Sequence, residues 1–201
     1  MSASRQLRRN DPPSWDDGWT LQLDDQSLRG VLWSRRGLVE AHRRAASAGS
    51  IAFDHWSAAV EAVWWAVALD DVLNSLLDGR YRPARATERD GQTVVGLRWL
   101  RHQHAHRIIV TGQGGPKQDF IGPSGGPPFY ISPANRWLPR SDMSVADRKR
   151  DPISEEAYDV CVAGHPLESP IAESIKWFDL VLAASGVHPN RRVDGGDPTI
   201  L

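Results

Sequence analysis

The sequence predicts a mainly α protein: a helical bundle of about four main helices, with a long Gly/Pro-rich irregular segment and one short extended stretch. Two observations carry this. Apolar residues recur at spacings of three and four in four separate runs, which is helical periodicity. Residues suited to capping or stopping helices flank most of those runs. A third observation sets the irregular part: between 111 and 135 the composition shifts to Gly and Pro, which suits neither a regular helix nor a central strand.

The elements follow in chain order. Residues 1–20 are polar, rich in Asp, Pro and Arg, and read as an irregular N-terminal segment. A helix begins within Asp24–Gly30, with Asp25 or Ser27 as N-cap. Leu28, Val31, Leu32, Leu38, Val39 and Ala46 carry its apolar spacing, and "AGS" at 48–50 ends it. Asp54 is the expected N-cap of a second helix, about 56–78. That helix is apolar nearly all round, through Val60, Val63, Trp64, Val67, Val72, Leu73 and Leu76, and so is expected at the centre of the bundle. "RYRPARATERD" reads as a charged connector. "GQTVVGLRWLRHQHAHRIIVTG" reads as a third helix closed by Gly112. After the Gly/Pro-rich loop, "FYISPANRWL" holds the short extended stretch. "SEEAYDVCVAG" is a short helix capped by Ser154 and stopped by Gly164. "SPIAESIKWFDLVLAASG" is the last main helix, capped by Ser169, with Ile171, Ile175, Phe178 and Leu182 on its inner stripe. Residues 21–186 thus form a single domain, and 187–201 a loose tail.

Composition bounds the function. The chain has 201 residues, enough for one domain with a sizeable core. Its formal net charge is −1, so no global field draws it to nucleic acid or membrane. The charge is uneven: residues 29–107 hold twelve basic against eight acidic side chains, and every basic one is Arg. Arg is the better bidentate phosphate ligand. One cysteine, Cys161, excludes an intrachain disulfide and Cys-based zinc sites. The apolar run 56–73 is too short and too charged for a membrane span, and a cytoplasmic protein without a membrane partner is expected. No cofactor is expected. Of the nine Trp, Trp64, Trp65, Trp99 and Trp177 are expected in the core, while Trp15, Trp19 and Trp137 pin irregular segments by packing.

The chemistry concentrates in "LRWLRHQHAHRIIV", residues 97–110. Its apolar residues do not alternate; spacings of three and four recur, so the histidines sit on a helix rather than a strand. On a helix His102 and His106 share a face and His104 points nearly the other way. The residue after His102 is Gln103, so the Glu of the H-E-x-x-H zinc motif is missing and no metal site is expected. Arg101 and His106 lie five residues apart, about 140° around the axis and about 7.5 Å along it, flanking a groove. An imidazole shuttles protons near neutral pH and a guanidinium stabilises charge on a phosphate. Glu61, Asp70 and Asp71, on the preceding helix, are candidates to orient His106 or pair with Arg101. The plainer expectation is a half-exposed Glu61 and a solvated Asp70–Asp71 edge.

"RHQHAH", Arg101 to His106, resembles the Rx4–6H motif of HEPN domains. The context is similar to that of a group of actinobacterial-type proteins with a "GLRxxRNxxxH" helix, an aromatic-Pro segment and a late "Y…AGxPL…A…WF" element. Here the late element is Tyr158, Ala163, Gly164, Pro166, Leu167, Ala172, Trp177 and Phe178. The resemblance covers about residues 30–185. It implies an α-helical bundle that dimerises, and a metal-independent endoribonuclease of the toxin–antitoxin or phage-defence kind. It further implies His106 as acid or base, Arg101 on the scissile phosphate, RNA as substrate, and an antitoxin or other partner protein. One departure stands out: His102 occupies a position often held by Asn. Other members of the family have lost catalysis and serve as dimeric interaction or scaffold modules. Both readings stay open on the sequence.

Overall fold

A computed structural model describes residue 21 and residues 23–48, 52–77, 80–104, 111–112, 118–120, 129–131, 135–143 and 151–188. It is mainly helical, as the periodicity predicts. Four longer helices, α1 (Asp25–Ser47), α2 (Ala52–Leu76), α4 (Arg89–His104) and α6 (Glu168–Ala184), pack around one core. Two shorter ones, α3 (Tyr81–Thr87) and α5 (Pro152–Cys161), lie beside α4. No helix among the described residues is long and apolar enough to cross a membrane.

Helix α2 is the central element. It packs against α1, α4 and α6, and its buried residues are mostly small: Ala58, Ala59, Ala62 and Ala66, with Val63, Leu69 and Leu73. Small side chains let three neighbours approach the same helix. Gly37 of α1 serves the same end, because a Cβ there would come within 2.5 Å of the Trp65 ring. Helix α1 buries Val31, Leu38 and Ala45 at heptad spacing, and Arg35 ties it to α6 by two hydrogen bonds to Asp179, at 2.6 and 3.0 Å. At the crossing of α4 and α5, Gly96 presses on the backbone of α5: a Cβ there would lie 2.9 Å from the carbonyl oxygen of Ala157.

The extended stretch is present. Strands β1 (Thr111–Gly112) and β4 (Arg136–Trp137) pair antiparallel, as do β2 (Gln118–Phe120) and β3 (Phe129–Ile131). The backbone around β4 is fastened to the α5–α6 turn by Trp137 N–H to His165 O, Gly164 N–H to Trp137 O and Leu167 N–H to Asn135 O. Trp137 is buried and its indole N–H donates to Leu167 O at 3.1 Å, so it pins this segment as expected.

Several expectations at the element level are corrected. Asp24, not Asp25 or Ser27, caps α1, accepting from Ser27 N–H at 2.7 Å. Helix α2 starts before Asp54, which lies inside its first turn. The expected connector 80–90 is largely helical: Pro83 falls in the first turn of α3, where its missing N–H has no intrahelical partner to lose. Helix α4 is described as far as His104, and Gly112 belongs to a strand rather than closing the helix; residues 105–110 lie outside the described residues. Asp151, not Ser154, caps α5, and α6 starts at Glu168, ahead of Ser169 and Pro170. Helix α5 ends at Cys161 with Val162, not Gly164, as its C-cap; Gly164, two residues on, takes a φ of 73° that suits glycine in the turn that follows. Val187 is buried in the core rather than part of a loose tail. Trp15 and Trp19 lie outside the described residues.

Candidate functional site

The site grows from the seam between α2 and α4. These helices run in opposite directions, so Asp70 of α2 meets Arg98 of α4 and, further along, Trp64 of α2 meets Arg101.

Asp70 is 0% exposed. A buried carboxylate is stable only when paired and fully hydrogen-bonded, and Asp70 is. Tyr81 O–H donates to it at 2.8 Å, and Arg85 Nη1 reaches both of its oxygens. Arg98 donates from Nε at 2.9 Å and from Nη2 at 2.5 Å. Trp177 of α6 donates in turn to the Tyr81 oxygen at 3.0 Å. Three helices therefore meet on one carboxylate, and α6 joins them through the Tyr81 hydroxyl. The expectation of a solvated Asp70 edge is overturned, whereas Asp71 is exposed as expected and also takes Arg98. Burial, then the Asp70 charge, pushes the Tyr81 hydroxyl well above the usual phenol range. Burial works against the charged form of Arg98, but the charges and hydrogen bonds of Asp70 and Asp71 outweigh it, and its affinity for the proton rises.

Glu61 is half-exposed and engaged elsewhere: Arg44 of α1 donates to it at 2.6 Å and the Trp65 indole at 3.2 Å. Burial raises its pKa, but the bonds from Arg44 and Trp65 and the Arg44 charge prevail and lower it.

Arg101 stands apart from these pairs. Neither Asp70, Asp71 nor Glu61 bonds to it among the described residues. Its guanidinium carbon lies 4.4 Å from the centroid of the Trp64 ring, a cation–π contact, and its buried Nε has no hydrogen-bond partner. Trp64 is 41% exposed, which corrects its expected place in the core. Trp65 is half-buried, while Trp99 and Trp177 are core residues as expected. His102 is exposed on the same end of α4. His106 lies outside the described residues.

Sequence reasoning missed Arg85, Arg98 and Tyr81 as the partners of Asp70. The spacing held the signal: Tyr81 and Arg85, and likewise Arg98 and Arg101, share a helix face at separations of four and three. It also missed a second polar cluster at the start of α2. His55 is 6% exposed, its Nε2 lies 3.2 Å from Glu168, and its Nδ1 lies 3.4 Å from Asn135 Nδ2. Both ring nitrogens are engaged, so this imidazole ties α2, the β4 segment and α6 together. No group of three or more potential metal ligands is found among the described residues.

No protein-family model, curated protein or solved structure matches the chain.

Proposed function

We propose that this chain is a HEPN-like helical protein that cleaves RNA without a metal, in the manner of a toxin or phage-defence endoribonuclease. Arg101 binds the scissile phosphate and His106 moves the proton, on the ribose 2′-hydroxyl or the leaving oxygen. Attack of the 2′-oxygen on phosphorus breaks the bond to the 5′-oxygen and leaves a 2′,3′-cyclic phosphate and a 5′-hydroxyl. The active form is a cytoplasmic homodimer, held in check by an antitoxin or other partner protein.

One observation carries the reading: Arg101 keeps its charge for a ligand. Asp70 and Asp71 are taken by Arg85 and Arg98, Glu61 by Arg44, and among the described residues the contact that holds Arg101 is an indole that does not neutralise it. An arginine committed to Asp70 would have argued against phosphate binding.

A second reading is the silent dimeric scaffold. The net charge of −1 favours it, since nucleases without a metal commonly rely on a basic surface to hold RNA. One experiment separates the two. A mixed RNA panel is incubated in EDTA with wild type, His106→Ala and Arg101→Ala, each matched for folding by circular dichroism. The nuclease reading expects wild-type cleavage ending in cyclic phosphate, lowered at least about a hundredfold by either substitution. Uncleaved RNA in every tube supports the scaffold.

A further inference from the structure

We infer that the exposed indole of Trp64 is a base-stacking platform for single-stranded RNA, and that it holds Arg101 in place as the neighbouring phosphate ligand. The inference rests on the RNA reading above and adds a residue that reading does not contain.

Arg101 is held differently from Arg85 and Arg98. An arginine at a helix–helix seam usually finds a carboxylate, as Arg85, Arg98 and Arg44 do here. Such a pair fixes the side chain and cancels its charge together. The Trp64 ring fixes the guanidinium plane without cancelling anything, because the attraction comes from the ring quadrupole. Among the described residues Asp70 and Asp71 are paired with Arg85 and Arg98, and Arg101 adds a positive charge beside them that no carboxylate takes. Its Nε is buried against the helices and out of a ligand's reach, so a phosphate would be taken by the terminal nitrogens of the guanidinium.

Trp64 adds a second element of recognition. The residue is 41% exposed although it faces the α2–α4 seam, so a large indole surface meets solvent beside a cation. That pairing matches a nucleotide, whose flat base and charged phosphate are neighbours. Exposed aromatic surface beside Arg is how sequence-tolerant single-strand binders hold RNA. The exposed His102 on the adjoining turn offers a further hydrogen-bonding group to the backbone.

The test measures binding rather than cleavage. Fluorescence anisotropy in EDTA at low salt compares a short fluorescein-labelled oligouridylate with an abasic oligomer of the same length, using the His106→Ala protein so that the probe stays intact. Trp64→Ala is expected to weaken oligouridylate binding about tenfold or more and abasic binding, which loses only the positioning of Arg101, by about threefold or less. Trp64→Phe is expected to restore most of the loss, and Arg101→Ala to weaken both probes. Equal weakening of both probes by Trp64→Ala, or none in either, overturns the platform, as does an absence of oligouridylate binding. The two readings fail separately. RNA that is bound through Trp64 but never cleaved removes the nuclease and keeps the platform. RNA that is cleaved with affinity unchanged in Trp64→Ala removes the platform alone.

Discussion

Asp70 is the residue on which most of the site's stability turns. Replacing it with Asn keeps the shape and removes the charge that balances Arg85, whose side chain is itself nearly buried. Breaking a buried pair from one side leaves an uncompensated charge, at a cost of about 3–5 kcal/mol. Asp71→Asn removes an exposed partner of the same Arg98 and is expected to cost less than about 1 kcal/mol. Urea unfolding of the two variants checks this, and equal midpoints would show that the buried network is not the anchor. Glu61 makes a pH prediction of opposite visibility. Its folded-state pKa lies below the ordinary 4.5, so its contribution is fully present above that value and is lost as acid carries the pH down through the folded value. The stability gap between wild type and Glu61→Gln should therefore be flat near neutrality and close on acidification below about pH 4.5. A gap that widens there would reverse the assigned sign. Neither residue's partner was legible beforehand. Carboxylates near Arg-rich segments can be found by inspection, but which arginine reaches which carboxylate depends on helix rotation. Here that rotation sent Arg98 to Asp70 and left Arg101 for Trp64.

At the scale of elements, periodicity was a good guide and local chemistry at the ends was a weaker one. The four long helices were visible because their apolar residues recur over several turns. The short helix α3 was not, because a seven-residue segment with Pro83 and four arginines around it has no apolar stripe to read; it folds through Tyr81 and Arg85 reaching Asp70. Caps were misplaced by one to three residues because an Asp and a Ser three positions apart can each serve as a cap; here the Asp accepts and the Ser donates its own N–H, as at Asp24–Ser27 and Asp151–Ser154. Two glycines test how closely the elements are packed. Gly30 sits inside α1 with open space where a Cβ would go, so Gly30→Ala should raise stability by about 0.5–1 kcal/mol through helix propensity. Gly96 offers the same propensity gain but puts a Cβ against the α5 backbone, and Gly96→Ala should lower stability by about 1–3 kcal/mol. Thermal or urea unfolding of the pair decides it; two substitutions of the same sign would mean that the α4–α5 contact is looser than its geometry.

For the whole molecule, Cys161 offers a probe of how the parts move together. It is the chain's single cysteine, buried at the end of α5 where that helix rests on α4. Burial, aided by the Glu173 charge, pushes the thiol up and outweighs the opposing Thr93 and Arg89. A buried thiol held in its protonated form is a poor nucleophile, since the thiolate is the reactive species. The native protein should therefore show almost no reaction with an aromatic disulfide reagent near pH 8, and one full equivalent in denaturant. The rate under native conditions then reports how often α5 lifts from the bundle. Gly96→Ala, which crowds the same crossing, should speed that reaction more than Gly30→Ala changes it, even if the two variants are compared at equal distance from their unfolding midpoints. Labelling of the native protein as fast as of the unfolded chain would mean that α5 is not docked as the Gly96 contact requires. The outcome bears on the site as well. Helix α4 carries Arg98 and Arg101 on the face toward α2 and Gly96 on the face toward α5, so the helix that presents the candidate phosphate ligand is clamped from both sides. If α5 opens rarely, Arg101 meets its ligand already positioned, and the affinity lost in Trp64→Ala can be assigned to the indole rather than to a loosened helix.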